Sequence, residues 1–304
     1  MVCKEHRIRA EKNVEAAEDR WKGMDDRGFA MYAEKQKAFS LIELLVVLSV
    51  VSMLMAILVP VLATARSQAY GAICQSNLRQ LFLANTGYTL ENDGYYVPAA
   101  PDIFSAKGGK YRWHGVRDSA DEPFDARRGP LAGYLADGRV KKCPEEGDFA
   151  RGGSWEENFE QGCGGYGYNR IYLGSREWEE RQFVTIEQME AAGWETTQNT
   201  EVGKPGETLM FADTAMCVEK PILIEYSFAE PPFYVYMGKP LTSFYLSPSI
   251  HFRHRGRAKV EWADGHSDSR EMADFGDINV YDVDSAEMKL GWFAPIDNTP
   301  FDLK

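Results

Sequence analysis

The chain has 304 residues, of which 44% are hydrophobic, enough for one sizeable folded body or two smaller ones. Its 46 acidic and 34 basic residues give a formal net charge of −12, and the basic residues form no long cluster. A positive stripe that could follow a phosphate backbone is therefore not expected, and neither is direct nucleic-acid binding. No segment repeats at a fixed period, which excludes solenoids and propellers.

The first segment, residues 1–38, mixes basic and acidic residues without a periodic apolar face, and we expect it to stay in the cytoplasm. A run of 22 residues without a formal charge follows, from Leu44 to Ala65. As a helix this run would be about 33 Å long, close to the ~30 Å hydrocarbon thickness of a bilayer. The sequence therefore predicts a membrane-spanning helix.

Three kinds of segment could explain this run: a stop-transfer anchor, a secretory signal peptide or a prepilin-type helix. A secretory signal has a shorter apolar stretch that ends at a small-x-small cleavage site. Ala63-Thr64-Ala65 imitates such a site, but the apolar run before it is too long. The residues upstream of the run decide between the other two.

Those residues are Lys35-Gln36-Lys37-Ala38-Phe39-Ser40-Leu41-Ile42-Glu43-Leu44-Leu45, and they resemble the prepilin processing motif. The resemblance implies that a prepilin peptidase cleaves between Ala38 and Phe39 and that the new amino terminus, at Phe39, is methylated. The family normally has glycine at the position of Ala38, and alanine keeps the site small. Residues 1–38 would then be a leader that is removed.

Two residues of the predicted helix invite a functional interpretation. Glu43 carries a charge at the start of an apolar segment, which costs a few kcal/mol unless the carboxylate is paired. The resemblance implies that it attracts the free amino terminus of a neighbouring subunit during assembly; the alternative is a position at the level of the lipid headgroups. Pro60 removes a backbone hydrogen bond and kinks a helix. Pilin-like helices often carry such a proline, although membrane helices in general tolerate one.

Beyond the membrane segment at 39–65, apolar or small residues continue at a spacing typical of an amphipathic helix over 66–92, namely Ala69, Ile73, Leu78, Leu81, Leu83 and Ala84. Asn92-Asp93-Gly94 predicts its end. In the rest of the chain, 93–304, the sequence predicts loops and short strands up to Ala150 and a short helix at Glu187 to Trp194. It also predicts a buried strand at Thr208 to Asp213.

From Pro221 to Leu246 the composition predicts edge strands or a family-specific insertion. Alternation from Ala258 to Ala263 then predicts a hairpin strand that ends at an Asp264-Gly265 turn. We therefore expect an α+β fold, in which a long N-terminal helix packs through its C-terminal half on a small antiparallel sheet with loop insertions.

Several blocks of the chain resemble a large bacterial group. Its members couple a prepilin-type N terminus to a pseudopilin-like head, the globular part that follows the helix. The last block is His254-x9-Asp264-Gly265, a spacing that names the group's processing-associated motif. The others are Ser76 to Leu81, Asn92 to Pro98, Cys143-Pro144 and Gly165 to Asn169. The resemblance covers the first third of the chain well and the remainder only as separate blocks.

Potential metal ligands are concentrated at His251, His254, Asp264 and His266. Since His251 and His254 differ by three positions, an extended strand would point them to opposite faces, so no metal site and no cofactor are expected. Asp213 and Asp264 could be paired carboxylates, but turn or strand-end hydrogen bonding is the alternative. No hydrolase or phosphate-binding motif is present, and the chain is not expected to be an enzyme.

The cysteines show no C-x-x-C pair. Outside the cytoplasm the four beyond the membrane helix could pair in three ways, of which Cys74 with Cys143 is favoured; the alternative is small buried thiols.

These patterns support two functions. The first is a structural pseudopilin or minor-pilin-like subunit of a type II secretion or type IV pilus-like system. Its partners would be a prepilin peptidase, other pilin-like subunits and an inner-membrane assembly platform. It would cross the bacterial inner membrane once, with its head outside the cytoplasm. The second is a membrane-tethered protein that binds glycan or peptide, for which aromatic residues could supply a surface, among them Tyr166, Tyr168, Tyr226, Tyr234, Tyr236 and Tyr245.

Overall fold

The structure of the protein is a computed structural model, and it describes residues 40–103, 109–145, 149, 160–176, 178–179, 181, 185–219, 222–243, 245–275 and 284–304. The predicted cleavage site at Ala38 and Phe39 lies outside these residues. The chain divides into two compact units, Met1–Leu58 and Val59–Lys304.

A single helix, α1 (Leu41–Glu91), is the longest element and has 51 residues. It ends at the predicted turn, where Asp93 and Gly94 both adopt positive φ, at 52° and 83°. A glycine adopts this conformation without steric cost, and aspartate tolerates it better than most residues. The continuous helix, together with a small antiparallel sheet, confirms the predicted α+β class.

Within the second unit one face of α1 is buried, and its residues recur at steps of three and four: Gly71, Cys74, Asn77, Leu78, Leu81, Ala84, Asn85 and Thr89. The predicted apolar face is wrong in part, because Ile73 and Leu83 are exposed. Polar Asn77 and Asn85 are buried instead. Asn85 Oδ1 accepts a hydrogen bond from the Val97 backbone N–H at 3.1 Å, so this buried side-chain oxygen has a partner.

The core sheet has four antiparallel strands, β3 (Tyr166–Tyr168), β4 (Leu209–Asp213), β10 (Arg257–Trp262) and β11 (Ser267–Glu271), in the order β11-β10-β4-β3. The predicted strand and hairpin correspond to β4, β10 and the Asp264-Gly265 turn, with Glu261 paired to Ser267 across it. All five residues of β4 are buried. A strand with both faces covered explains its continuous apolar sequence.

The remaining strands form four short antiparallel pairs: β1 (Tyr111–Arg112) with β2 (Gly115–Val116), β5 (Met216–Glu219) with β6 (Ile222–Ile224), β7 (Val235–Tyr236) with β8 (Lys239–Pro240), and β9 (Ile250–His251) with β12 (Leu290–Gly291). A short helix, α2 (Ile186–Gly193), matches the predicted helix within one residue at each end. Thr185 and Gln188 form a capping box at its start. Single 3-10 turns occupy Ala126–Arg128, Ala132–Tyr134 and Asn199–Glu201.

An aromatic group fills the centre of the head. Trp113 is fully buried and lies edge-on to Phe211, with ring centroids 5.2 Å apart, and Phe211 stacks on Tyr168 at 4.9 Å. The Trp113 indole donates a hydrogen bond to the Ser227 carbonyl at 2.7 Å. These rings supply a large part of the buried apolar surface that holds the head together.

A buried ion pair lies next to this group. Arg112 donates from Nη2 to Glu160 Oε1 at 2.8 Å and from Nε to both carboxylate oxygens at 3.0 Å. Ser227 Oγ donates to Glu160 Oε2 at 2.5 Å. The side chains of Arg112 and Glu160 are 1% and 0% exposed, so water screens neither charge. Each partner is therefore needed to compensate the other.

The strand β11 forms one edge of the core sheet, and its sequence is polar throughout, Ser-Asp-Ser-Arg-Glu. Arg270 Nε donates to Asp268 Oδ2 at 2.7 Å, and Arg257 of the neighbouring strand pairs with Glu271. No residue of β11 is buried.

Candidate functional site

The start of α1 is capped by the residues that the sequence singles out. The Ser40 backbone N–H donates to Glu43 Oε2 at 2.8 Å, and the Glu43 backbone N–H donates to Ser40 Oγ at 3.2 Å. This reciprocal pair is a capping box, which satisfies two of the amide groups that a helix leaves free at its N terminus. Within one chain, Glu43 therefore serves as a helix cap. Sequence reasoning missed this role, although S-x-x-E at the start of an apolar run is its signature.

The helix presents a long exposed apolar surface. Every residue from Leu41 to Arg66 is exposed, including Leu41 at 82% and Met53 at 70%. Among the described residues, α1 is the one helix long and apolar enough to cross a membrane. Pro60 lies inside it, and helical structure continues on both sides. Such a surface fits a membrane anchor.

In the head, four buried side chains from distant parts of the chain converge. They are Cys74 from α1, Cys143 from the loop before β3, Asp213 at the end of β4 and His254 in the turn before β10, and one ligand atom of each lies within 4.8 Å of the others. His254 Nε2 lies 3.6 Å from Cys143 Sγ and 3.3 Å from Asp213 Oδ2. We call these four residues the Cys-Asp-His cluster.

Hydrogen bonds and one close charged contact from outside the cluster fix its side chains. The Lys259 backbone N–H donates to Asp213 Oδ2 at 2.7 Å, and His254 Nδ1 lies 2.6 Å from Glu145 Oε2. The Tyr166 hydroxyl accepts a hydrogen bond from Asn77 Nδ2 at 2.9 Å, so its own proton can point to Cys74 Sγ, 3.2 Å away. Three of the four members, Cys74, Asp213 and His254, are therefore held by a further group.

The electrostatics of the cluster favour a protonated histidine beside a thiolate. Burial alone would lower the pKa of His254, but its contacts with Asp213 and Cys143 outweigh burial and raise that pKa to about 10. A hydrogen bond from Cys74 lowers the pKa of Cys143, whereas burial raises the pKa of Cys74. Of the two cysteines, Cys143 therefore carries the negative charge.

The cluster includes both cysteines of the favoured disulfide. Cys74 and Cys143 are buried thiols in the structure, and no disulfide joins them. Their proximity nevertheless makes that pairing chemically accessible, so the disulfide stays a prediction.

The other predicted ligands and carboxylates do not come together. His266 and Asp264 pair with each other at the exposed turn, where Nδ1 lies 2.7 Å from Oδ1. His251 is buried against Phe149, with ring centroids 5.7 Å apart. The proposed carboxylate pair is wrong, because Asp213 is fully buried in the cluster whereas the Asp264 side chain is 40% exposed and caps a turn.

The three residues of the His254-x9-Asp264-Gly265 pattern have separate roles. His254 belongs to the cluster, and Asp264 Oδ1 accepts from the His266 backbone N–H at 2.9 Å. Gly265 has a φ of 87°, and a Cβ there would lie 2.5 Å from Phe82 Cε1 on α1. Only glycine allows the hairpin turn to approach the helix this closely.

The aromatic residues proposed as a binding surface are mostly internal. Tyr166 and Tyr168 are fully buried, and Tyr226 and Tyr234 pack against the core, so they do not form an exposed platform. Tyr236 is 56% exposed.

A different part of the head offers a cleft of about 740 Å³, where exposed Tyr95 and Trp194 stand beside charged Arg176, Arg181 and Glu195. Arg181 pairs with Glu195 at 2.6 Å, and Arg176 pairs with Glu201 at 2.9 Å. Sequence analysis gave no sign of this cleft, because its walls come from separate segments.

Comparison with known families gives one match. Residues 34–59 match the family model described as the prokaryotic N-terminal methylation motif. No curated protein and no solved structure matches the chain. The matched segment includes Glu43, the residues that cap α1 and the first turns of its exposed apolar surface. The chain therefore carries a prepilin-type N-terminal methylation motif, which marks a pilin-like substrate of processing.

Proposed function

We propose that this protein is a pseudopilin or minor-pilin-like subunit of a type II secretion or type IV pilus-like system. The observation that carries the proposal is the methylation motif at 34–59 placed directly on an exposed apolar helix. In this proposal a prepilin peptidase removes residues 1–38, and the helix from Phe39 anchors the chain once in a bacterial inner membrane. The head then lies outside the cytoplasm.

The capping geometry supports a role for Glu43 in assembly. Its carboxylate lies at the N terminus of α1, next to the site where the new amino group would form. The partial positive charge of a helix N terminus favours a carboxylate there. A neighbouring subunit's methylated amino terminus would give this carboxylate a charged partner in a low-dielectric surrounding, where an ion pair is stronger than in water. The proposed partners are other pilin-like subunits and an inner-membrane assembly platform.

Processing provides the first test. Expression of the full chain with an active prepilin peptidase should yield a mature chain that begins at Phe39 and carries one added methyl group, as measured by intact-mass spectrometry. An inactive peptidase should leave the whole chain. Ala38→Gly should be processed at least as completely as the natural sequence, and Ala38→Glu should not be processed. A mature chain with any other first residue would contradict the proposed leader.

The second candidate function, a membrane-tethered binding protein, is favoured by the cleft beside Trp194. Aromatic faces with neighbouring charged and hydrogen-bonding groups suit sugar rings or peptides. If this function is right, the detergent-solubilised full chain should bind components of a glycan or peptide array, and Trp194→Ala should weaken that binding at least about tenfold. Tyr236→Ala, which removes an equally exposed aromatic outside the cleft, is the matched control. Unchanged binding after Trp194→Ala would exclude the cleft.

A further inference from the structure

We infer that the Cys-Asp-His cluster is a structural site for one divalent transition metal, of which zinc is the best match. This inference does not depend on the proposed function. The donor set comprises two sulfurs, one imidazole nitrogen and one carboxylate oxygen, all on buried residues. Zinc sites in proteins are built from these donor types, four to a site.

Two distances inside the cluster match edges of a tetrahedron around such an ion. With metal bonds of about 2.3 Å to sulfur and about 2.0–2.2 Å to nitrogen and oxygen, a tetrahedral site needs about 3.6 Å between sulfur and nitrogen and about 3.4 Å between nitrogen and oxygen. The structure has 3.6 Å between Cys143 Sγ and His254 Nε2 and 3.3 Å between His254 Nε2 and Asp213 Oδ2. These two of the six distances between donors therefore fit a common ion, and all four donors lie within 4.8 Å of one another.

The surroundings of the cluster are those of a metal site. Histidine ligands usually have their second ring nitrogen bound to a carboxylate or carbonyl, which fixes the orientation of the ring. Here Nδ1 of His254 faces Glu145 Oε2 at 2.6 Å and leaves Nε2 directed at the cysteine and the aspartate. The Tyr166 hydroxyl is placed to donate to Cys74 Sγ, which would support a thiolate ligand.

The charge balance of the cluster and one unsatisfied buried oxygen also support a metal site. Asp213 Oδ1 is buried and has no hydrogen-bond partner among the residues that the structure describes. A divalent ion bound by two thiolates and one carboxylate leaves one net negative charge, and Arg253, which is also buried, lies 4.0 Å from this oxygen. A buried charge set of this kind is stable only when its members compensate one another.

Two other uses of these residues fit less well. A disulfide between Cys74 and Cys143 would engage the sulfurs and give no reason for Asp213 and His254 to converge on them. A nucleophilic cysteine needs access for a substrate, but Cys143 is 3% exposed and Cys74 is fully buried. A metal uses all four donors and needs no opening.

The expected role of the ion is to fasten the helix to the sheet. Cys74 lies on α1, Asp213 ends β4, and His254 and Cys143 come from loops on either side in sequence. Because these segments are far apart in the chain, a shared ion would close long loops and add its binding free energy to folding.

The test measures metal in the full chain, purified in detergent without chelators from cells supplied with zinc. Inductively coupled plasma mass spectrometry should find about one zinc per chain. Cys74→Ser and Cys143→Ser should each lower the metal content at least about tenfold. Cys163→Ser and Cys217→Ser, at buried cysteines outside the cluster, should leave it unchanged. A metal-free protein with reduced thiols would overturn the inference, and so would a Cys74–Cys143 disulfide found by peptide mapping.

A second measurement uses the natural sequence and covers the case in which a cysteine variant fails to fold. After removal of metal by a chelator, titration with cobalt(II) should produce a thiolate charge-transfer band and intense visible bands of tetrahedral cobalt. Glu145→Gln, which changes only the group behind His254, should weaken cobalt affinity about 10–100-fold. Weak bands typical of octahedral cobalt in the natural chain would contradict the site.

Discussion

Replacing Glu43 by glutamine is expected to abolish assembly of the proposed subunit while leaving processing and membrane insertion intact. Glutamine can still accept the hydrogen bond from the Ser40 backbone N–H, so the capping box survives. The variant loses the negative charge, which in our proposal attracts the amino terminus of the next subunit. The measurement is co-isolation of mature subunits, or secretion of cargo, in cells that carry the complete system.

The matched variant for this experiment is Ser40→Ala. It removes the hydroxyl that accepts from the Glu43 backbone N–H at 3.2 Å but leaves the carboxylate in place. Loss of such a cap costs about 1 kcal/mol, and membrane insertion of the long apolar helix should tolerate it. We expect Ser40→Ala to assemble. If Glu43→Gln assembles as well as the natural chain, the charge has no role between subunits and the tethered binding protein becomes the better proposal.

Replacing Glu160 by glutamine is expected to destabilise the head by about 3–5 kcal/mol, because the buried guanidinium of Arg112 loses its closest counter-charge and keeps only Asp102, whose Oδ1 lies 3.6 Å from Nη1. The measurement is urea unfolding of the detergent-solubilised full chain, followed by near-ultraviolet circular dichroism. The control is Asp118→Asn, since Asp118 pairs with Arg128 at the same 2.8 Å distance on the exposed surface. Exposed pairs are worth about 0–1 kcal/mol. Equal losses from both variants would contradict the importance of burial.

Acid should reduce the difference between the natural chain and Glu160→Gln. Burial alone would raise the pKa of Glu160, but its interactions with Arg112 and with His114 together outweigh burial and lower that pKa from 4.5 to about 2. Since the folded-state pKa is the lower one, the ionised pair contributes its full stability above pH 4.5 and loses it as the pH falls toward about 2. The two unfolding free energies should therefore converge over this interval. A difference that stays constant would show that the charge of Glu160 is not what stabilises the head.

The elements that sequence reasoning predicted well are those with local signals. The apolar run, the turn at Asn92-Asp93-Gly94 and the alternation before Asp264-Gly265 each depend on neighbouring residues, and α1 and the β10–β11 hairpin follow them closely. The buried face of α1 was predicted less well. Asn85 is buried because a backbone amide 12 residues away needs its carbonyl, and hydropathy does not reveal such a partner.

The candidate sites likewise differ in whether their residues are close together in the sequence. Ser40 and Glu43 are three positions apart, and a capping signature is visible in the sequence. The Cys-Asp-His cluster has no local spacing, since Cys74, Cys143, Asp213 and His254 meet only after the helix, a loop, a central strand and a turn have packed. The same reasoning explains why the spacing of the histidines did not reveal the cluster: His254 joins it, whereas His251 and His266 have other partners. Tyr166 and Tyr168 are internal because all three residues of their short strand are buried, although β3 forms an edge of the sheet.

The polar edge strand β11 has a consequence for the proposed pilin-like subunit. An exposed sheet edge offers unpaired backbone groups to any other strand, and flat apolar edges promote aggregation. Here the edge carries Asp268, Arg270 and Glu271, so a second strand would have to displace charged side chains and their solvent before pairing. In the proposed subunit, the charged edge therefore disfavours strand pairing between heads. The helix is then left to make the contacts of assembly, and heads at high local concentration do not aggregate through their sheets.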